Sequence, residues 1–148
     1  MTKLDEIEMP GRQAGEIARL QLTDLHQLHP PEAGCTEWIA EPRGNGVPRI
    51  WNGWQVFLLC IHADLVRFGM PIPRAGKLVG RIAETLAFNP DAEKLFIEFR
   101  TNGASFFTVG GEQNDAALAA GKVRFTMTLE LATYRRAVEA AAGVTCDA

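Results

Sequence analysis

The stretch Arg43-Gly-Asn-Gly-Val-Pro-Arg-Ile-Trp-Asn52 decides how this chain folds, because it joins a turn-forming tip to the start of a helix. A glycine on each side of Asn45 supplies the positive φ angles that a tight turn needs. Short strand-like runs lie before and after the tip, at residues 35–41 and 47–51. We therefore predict a hairpin with an exposed tip that carries an arginine on each side.

The tip belongs to a basic block in an otherwise acidic chain. Residues 42–83 hold six Arg and Lys side chains against one acid, Asp64, which is a balance of +5. Residues 1–41 balance to −5 and residues 84–148 to −3, so the total is −3. A local basic face of this kind can attract a polyanion, although the overall balance argues against a protein that coats nucleic acid in bulk.

Bulk composition is that of a soluble globular protein. The chain has 148 residues, of which 47% are hydrophobic and 22% charged. No apolar run reaches the length of a membrane span, and the acidic first residues do not form a signal peptide. Three scattered cysteines do not make a disulfide framework. We predict a cytoplasmic protein that has no membrane partner.

Helical signals surround the tip on both sides. Residues 12–20 and Asp24–Leu28 are predicted to form a helix, a tight turn and a second helix, with Thr23 as the cap. Asn52 precedes an apolar helix at Gly53–Phe68 and has Gln55 three residues later, which is a capping-box pattern. Another helix is predicted at Pro73–Phe88.

The C-terminal half changes to an alternating pattern typical of strands. Strands are predicted around residues 95–100 and 106–109, joined by the preferred hairpin turn Asn102-Gly103. A strand at 123–129 and a helix at Glu130–Ala142 follow, whereas residues 112–121 fit either a short helix or a loop. The predicted organisation has three parts: a flexible arm at 1–11, a helical module at 12–88 and a small α+β subdomain at 92–143.

This order of elements resembles the MerR-like winged helix-turn-helix proteins. The stretches that carry the resemblance are IARLQLTDLHQLH (17–29), RGNGVPRIWNGWQV (43–56) and LCIHADLVRFGMPIPRAGKLV (59–79). They cover about residues 14–88. The C-terminal half is not the long coiled-coil helix of many members, and is similar to the tail of compact ones. The resemblance implies an α+β fold with a winged helix-turn-helix, followed by a β-hairpin, a strand and a helix.

The resemblance also implies a set of DNA-binding residues. The wing would contact phosphate through Arg43, Asn45 and Arg49, and a basic helix stripe would extend that contact. Base edges would be touched from the second helix. The stripe and the second-helix residues are Arg74, Lys77, Arg81, Thr23, His26 and Gln27.

Each of these groups has a structural alternative. Arg43 and Arg49 could be solvated hairpin arginines, or Arg49 could pack on Trp51 or pair with Glu37. The basic stripe could be an ordinary solvated helix face.

Metal binding and catalysis find little support in the sequence. His26, His29 and Cys35 have soft ligand atoms, but a fourth zinc ligand is missing from the sequence around them. Catalytic or nucleotide-binding motifs are absent as well, so we predict no enzyme, no cofactor and no metal. Trp38, Trp51 and Trp54 could stack a ligand, but are better explained as the apolar seam between wing and helix.

The sequence therefore predicts a DNA-binding protein, most simply a transcriptional regulator of a bacterium or phage, that binds double-stranded DNA. A homodimer through the C-terminal half is expected, since Phe96, Phe106 and Phe107 are available for an exposed face. The alternative is a protein-interaction module on the same scaffold, because the predicted second helix carries an acid and no Lys or Arg. A third hypothesis, a small-molecule sensor, would need a pocket between the halves.

Overall fold

The computed structural model of the protein describes residues 4–109 and 120–143. It is a mixed α+β structure, as predicted, with a two-stranded and a three-stranded antiparallel sheet in this part of the chain. The chain divides into two units, one formed by Met1–Ala83 with Tyr134–Ala148 and the other by Glu84–Thr133. None of the described helices is long and apolar enough to cross a membrane.

The start of the described chain is an ordered part of the first unit, although we predicted a flexible arm at 1–11. A 3-10 turn at Leu4–Glu6 leads into strand β1, Glu8–Pro10. This strand pairs antiparallel with β2, Ile50–Asn52, so that Met9 lies opposite Trp51. Ile7 and Met9 are buried while their neighbours are exposed, which is the alternation expected of a strand with one covered face.

The predicted hairpin at 35–51 is not formed, because residues 35–41 are not a strand. The backbone N–H groups of Trp38 and Ile39 both donate to the carbonyl of Cys35, so the chain turns there. Trp38, Ile39 and Ala40 are buried in succession, which a strand with one solvent face cannot achieve. The strand after the tip pairs with β1 instead. Residues 41–49 are thus a loop, which we call the arginine loop.

Two short helices follow β1. Helix α1 spans Gly11–Ala18 and ends at Arg19 in the left-handed conformation, with φ 58°. Helix α2 spans Leu22–His26, so it begins and ends two residues before the predicted one. Gln21 rather than Thr23 precedes it. The Asp24 carboxylate accepts a hydrogen bond from the Gln21 N–H at 3.1 Å, which satisfies a donor at the helix start.

Helix α3, Gly53–Arg67, begins where the capping box predicted. Asn52 Oδ1 accepts from the Gln55 N–H at 2.8 Å, and Gln55 Oε1 accepts from the Asn52 N–H at 2.9 Å. Leu58 and Ile61 of this helix are buried. Phe68, the last residue of the predicted apolar helix, is 92% exposed, because it lies past the last helical residue where the backbone turns away.

Helix α4, Ile72–Ala87, packs closely on the turn that follows the 3-10 segment Pro31–Ala33. A Cβ atom built on Gly76 would lie 2.8 Å from the Ala33 oxygen and from backbone atoms of Gly34. Trp38 Nε1 donates to the Gly76 carbonyl at 3.0 Å. The absence of a side chain at Gly76 therefore sets how near α4 lies to this turn.

The second unit contains the sheet predicted for the C-terminal half. Its strands are β3 (Lys94–Arg100), β4 (Ser105–Val109) and β5 (Val123–Glu130), with β3 in the centre. The predicted Asn102-Gly103 turn joins β3 to β4, with Gly103 at φ 85°. Most of the ambiguous segment 112–121 lies outside the described residues.

The last element described is helix α5, Leu131–Ala141, which starts directly after β5. The division between the units falls within this helix, since Tyr134 and the residues after it group with the first unit.

Candidate nucleic-acid interface

Helix α2 exposes the three residues that were predicted to touch bases. Thr23, His26 and Gln27 are exposed, whereas Leu25 and Leu28 are buried against the first unit. The alternation arises because the apolar pair lies on one face of the short helix and the polar residues lie on the other. Hydroxyl, imidazole and amide groups on one exposed face are suited to hydrogen bonds with base edges.

The arginine loop is exposed along residues 41–48, and Arg43 and Asn45 lie at its tip. Its turn is closed by the Val47 N–H, which donates to the Gly44 carbonyl at 3.2 Å. Gly44 and Gly46 both have positive φ, as predicted for the tip. Arg43 is thus available to a ligand without rearrangement of the loop.

Arg49 is held at the base of the loop. Its Nη1 donates to the carbonyl of Ala40 at 2.7 Å, and the residue is half-buried. This bond joins the two ends of the loop, since donor and acceptor residues are nine positions apart in the sequence. The structure therefore gives Arg49 a bracing contact that differs from both structural alternatives, stacking on Trp51 and pairing with Glu37.

A histidine pair lies at the end of α2. The rings of His26 and His29 lie 5.2 Å apart. Burial lowers the pKa of His29, and the positive charge of Arg49 and the neighbouring His26 lower it further. His29 Nε2 is buried and has no hydrogen-bond partner among the described residues. His26, one of the predicted DNA-binding residues, therefore lies against the His29 ring.

The predicted basic stripe lies on the outer side of α4. Arg74, Lys77 and Arg81 are all exposed. The opposite side of the helix is covered, since Gly76 meets the turn at residues 33–34 and Glu37 Oε2 lies 3.5 Å from a Cβ built on Gly80. An acidic side chain thus stands beside the helix that carries the stripe.

Acidic residues weaken the positive potential around α2. Residues 21–49 contain four acids and two arginines, a balance of −2. Glu32, Glu37 and Glu41 are exposed. The Asp24 carboxylate accepts a hydrogen bond from the Gln21 N–H, so part of its negative charge is compensated at the start of α2. Attraction for a polyanion must therefore come from Arg43 and the stripe on α4.

The proposed soft ligands do not meet as a set of three. Cys35 Sγ lies 3.6 Å from Nε2 of His62, a residue far along the chain, and both are buried. Burial raises the pKa of the Cys35 thiol to about 12 and lowers the pKa of His62, which its hydrogen bond with the Ile72 carbonyl partly opposes. Both groups are neutral at pH 7. Residues 4–109 and 120–143 contain no group of three His, Cys, Asp or Glu that could hold a metal ion.

The three tryptophans pack on different partners. Trp38 lies 5.4 Å from the His62 ring, Trp51 is fully buried, and Trp54 stacks on Phe57 at 5.0 Å. Their role in the first unit is packing of the core around α3.

A pocket of about 460 Å³ opens beside α1 in the first unit. Its lining consists of Pro10, Arg12, Gln13, Glu16, Ile17 and Ala141. The pocket is open to solvent, and its lining offers one cation and one acid, which does not define a specific ligand.

No protein-family model matches the chain, and no curated protein matches it either.

Proposed function

We propose that this protein binds double-stranded DNA through a helix-turn-helix in which the arginine loop takes the place of a hairpin wing, most simply as a bacterial or phage transcriptional regulator that acts in the bacterial cytoplasm. The observation that carries the proposal is the exposed polar face of α2 together with the exposed tip of the arginine loop, both in the first unit. Helix α2 would then read bases and the loop would contact phosphate.

In this proposal the contacts divide between bases and phosphate. Thr23, His26 and Gln27 offer donors and acceptors to base edges in the major groove. Arg43 and Asn45 at the loop tip contact phosphate, which positions the helix without reading sequence. Arg74, Lys77 and Arg81 add contacts with the DNA backbone. Arg49 contributes by holding the loop in place through its bond to Ala40.

The proposal predicts how binding depends on salt. We expect the Arg43→Ala variant to bind random duplex DNA more weakly than the wild type and with a flatter salt dependence. The log–log slope should decrease by about 0.9 for the phosphate contact that is lost. Fluorescence anisotropy of labelled duplex DNA, titrated at several salt concentrations, measures both quantities.

Lys122→Ala is the matched control, since Lys122 is an exposed cation in the second unit. Its affinity and slope should equal those of the wild type. Equal effects of both substitutions would mean that overall charge, rather than the loop, attracts DNA. An Arg43→Ala variant with unchanged affinity and slope would remove the loop from the interface.

A second function, docking of a protein partner, is favoured by exposed apolar residues on the same elements. Leu22 on α2 is 44% exposed, Val47 in the loop 46% and Ile50 on β2 37%. Apolar exposure and the local balance of −2 suit a protein partner with an apolar and basic surface. Wild-type protein that fails to bind duplex DNA even at low salt would support this second function over the first.

A further inference from the structure

Strand β5 is an edge strand with an unusual composition. The sheet order is β4-β3-β5, and in the described part of the chain β5 pairs with β3 alone. Thr126 and Thr128 on one face of the strand are exposed, Phe125 on the other face is 55% exposed, and Arg124 at the end of the strand is exposed as well. Among the described residues, nothing pairs with the outer backbone groups of this strand, which could therefore pair with another strand.

The middle of β5 lacks the usual protection of an edge. Phe125–Leu129 contains no proline, glycine or charged residue, and its aromatic and β-branched side chains favour strands. A bulge lies at Arg124, since Phe99 pairs with Phe125 and Arg100 with Val123. The irregularity is confined to one end, so the five residues of the middle remain regular.

We propose that β5 pairs antiparallel with β5 of a second copy of this chain, with Met127 opposite its own copy. Two three-stranded sheets would then form one continuous sheet. In this register Phe125 lies opposite Leu129 and Thr126 opposite Thr128, so apolar residues share one face and hydroxyl residues the other. Arg124 and Glu130 flank the five regular residues, so that Arg124 of each copy comes near Glu130 of the other at both ends of the pairing.

Charge complementarity selects this register. If Thr126 lay opposite its own copy, Arg124 would face Thr128 and the ion pair would be lost. Within its own chain Glu130 meets Lys94 at 3.7 Å, with more than half of each side chain exposed. Such an exposed pair is weak, so the Glu130 carboxylate can also accept a hydrogen bond from an arginine of the other copy.

This inference concerns the second unit and does not depend on the proposed DNA binding. It replaces a general expectation of a dimer through the C-terminal half with a specific strand and register.

Exchange of charges tests the register. We expect wild-type protein to be a dimer at micromolar concentration in light scattering. Arg124→Glu alone and Glu130→Arg alone each place two like-charged pairs across the strands, so their dissociation constants should rise about tenfold or more. A mixture of the two variants restores both opposite pairs and should recover the dimer mass.

A wild-type monomer would overturn the proposal. Single variants that remain dimeric would also overturn it. So would a mixture that stays monomeric, provided that both variants keep the wild-type circular dichroism spectrum and melting temperature.

Disulfide cross-linking tests the same register without changing any charge. In a Cys146→Ser background, Met127→Cys should form a covalent dimer in a glutathione buffer, because the two Cβ atoms would be within disulfide range. Thr128→Cys is the control. Its copy lies diagonally across the strands, so cross-linking should be at least about tenfold slower. Equal rates for the two variants would contradict the register.

Discussion

At the scale of single residues, Arg49 shows how a predicted binding residue can have a structural role. The pattern around the tip predicts phosphate contact for both arginines. In the structure Arg43 is exposed, whereas Arg49 donates to the Ala40 carbonyl and is half-buried. Local sequence patterns do not reveal a hydrogen bond between a side chain and a carbonyl group at the other end of a loop.

We therefore predict different stability effects for the two arginines. Arg49→Ala should lower the free energy of unfolding by about 1–3 kcal/mol, since the Ala40 carbonyl loses its charged donor. Arg43→Ala should change it by less than about 0.5 kcal/mol. Urea denaturation followed by tryptophan fluorescence measures both. Equal values for the two variants would show that the Arg49 bond contributes nothing to the loop.

Buried His62 makes stability depend on pH. Burial lowers its pKa in the folded protein below the ordinary value of about 6.5. The unfolded chain therefore binds more protons at low pH, so stability is complete above that value and is lost as the pH falls through it. The loss can reach about 1.4 kcal/mol per pH unit for one group.

His62→Gln should therefore lose less unfolding free energy than the wild type between pH 7.5 and 5.5. Some pH dependence should persist, because the pKa of His29 is lowered as well. Unfolding free energies at several pH values test the prediction. Gln27→Ala, at an exposed position without a titratable group, is the control and should retain the wild-type pH dependence. A His62→Gln profile that follows the wild type would exclude His62 as the cause.

At the scale of elements, local sequence patterns correctly predicted those features whose hydrogen bonds join residues close together in the sequence. The capping box at Asn52 and the turn at Asn102-Gly103 were predicted because their hydrogen bonds lie within a few residues. The hairpin at 35–51 was predicted wrongly because the partner of β2 is β1, more than forty residues earlier. The Cys35–His62 contact was missed for the same reason.

Helix α4 offers a matched pair of glycines one turn apart. Gly76→Ala should lower the free energy of unfolding by about 1–3 kcal/mol, because its Cβ would meet backbone atoms at 2.8 Å that cannot give way cheaply. Gly80→Ala should be neutral or stabilise by up to about 1 kcal/mol, since its nearest neighbour lies at 3.5 Å and alanine favours the helix. Thermal or urea denaturation compares them. A stabilising Gly76→Ala would show that α4 is not fixed against the turn at residues 33–34.

At the scale of the whole molecule, the α+β class and the strand-rich C-terminal half followed from the change of hydrophobic period near residue 92. The grouping of the elements was harder to predict. Periodicity suggested modules at 12–88 and 92–143, whereas the contacts group the end of α5 with the first unit. Hydrophobic periodicity predicts that a segment is helical, but it does not show which distant residues the helix will contact.

That grouping has a consequence for synthesis on the ribosome. The Tyr134 hydroxyl donates to Asp64 Oδ2 at 2.7 Å, Val138 is fully buried, and Gln13 donates to the carbonyl of Ala141. The first unit is therefore still incomplete after residue 83 has left the exit tunnel. The core of the first unit cannot be completed, and part of its apolar surface stays uncovered, until the second unit and then α5 have been translated.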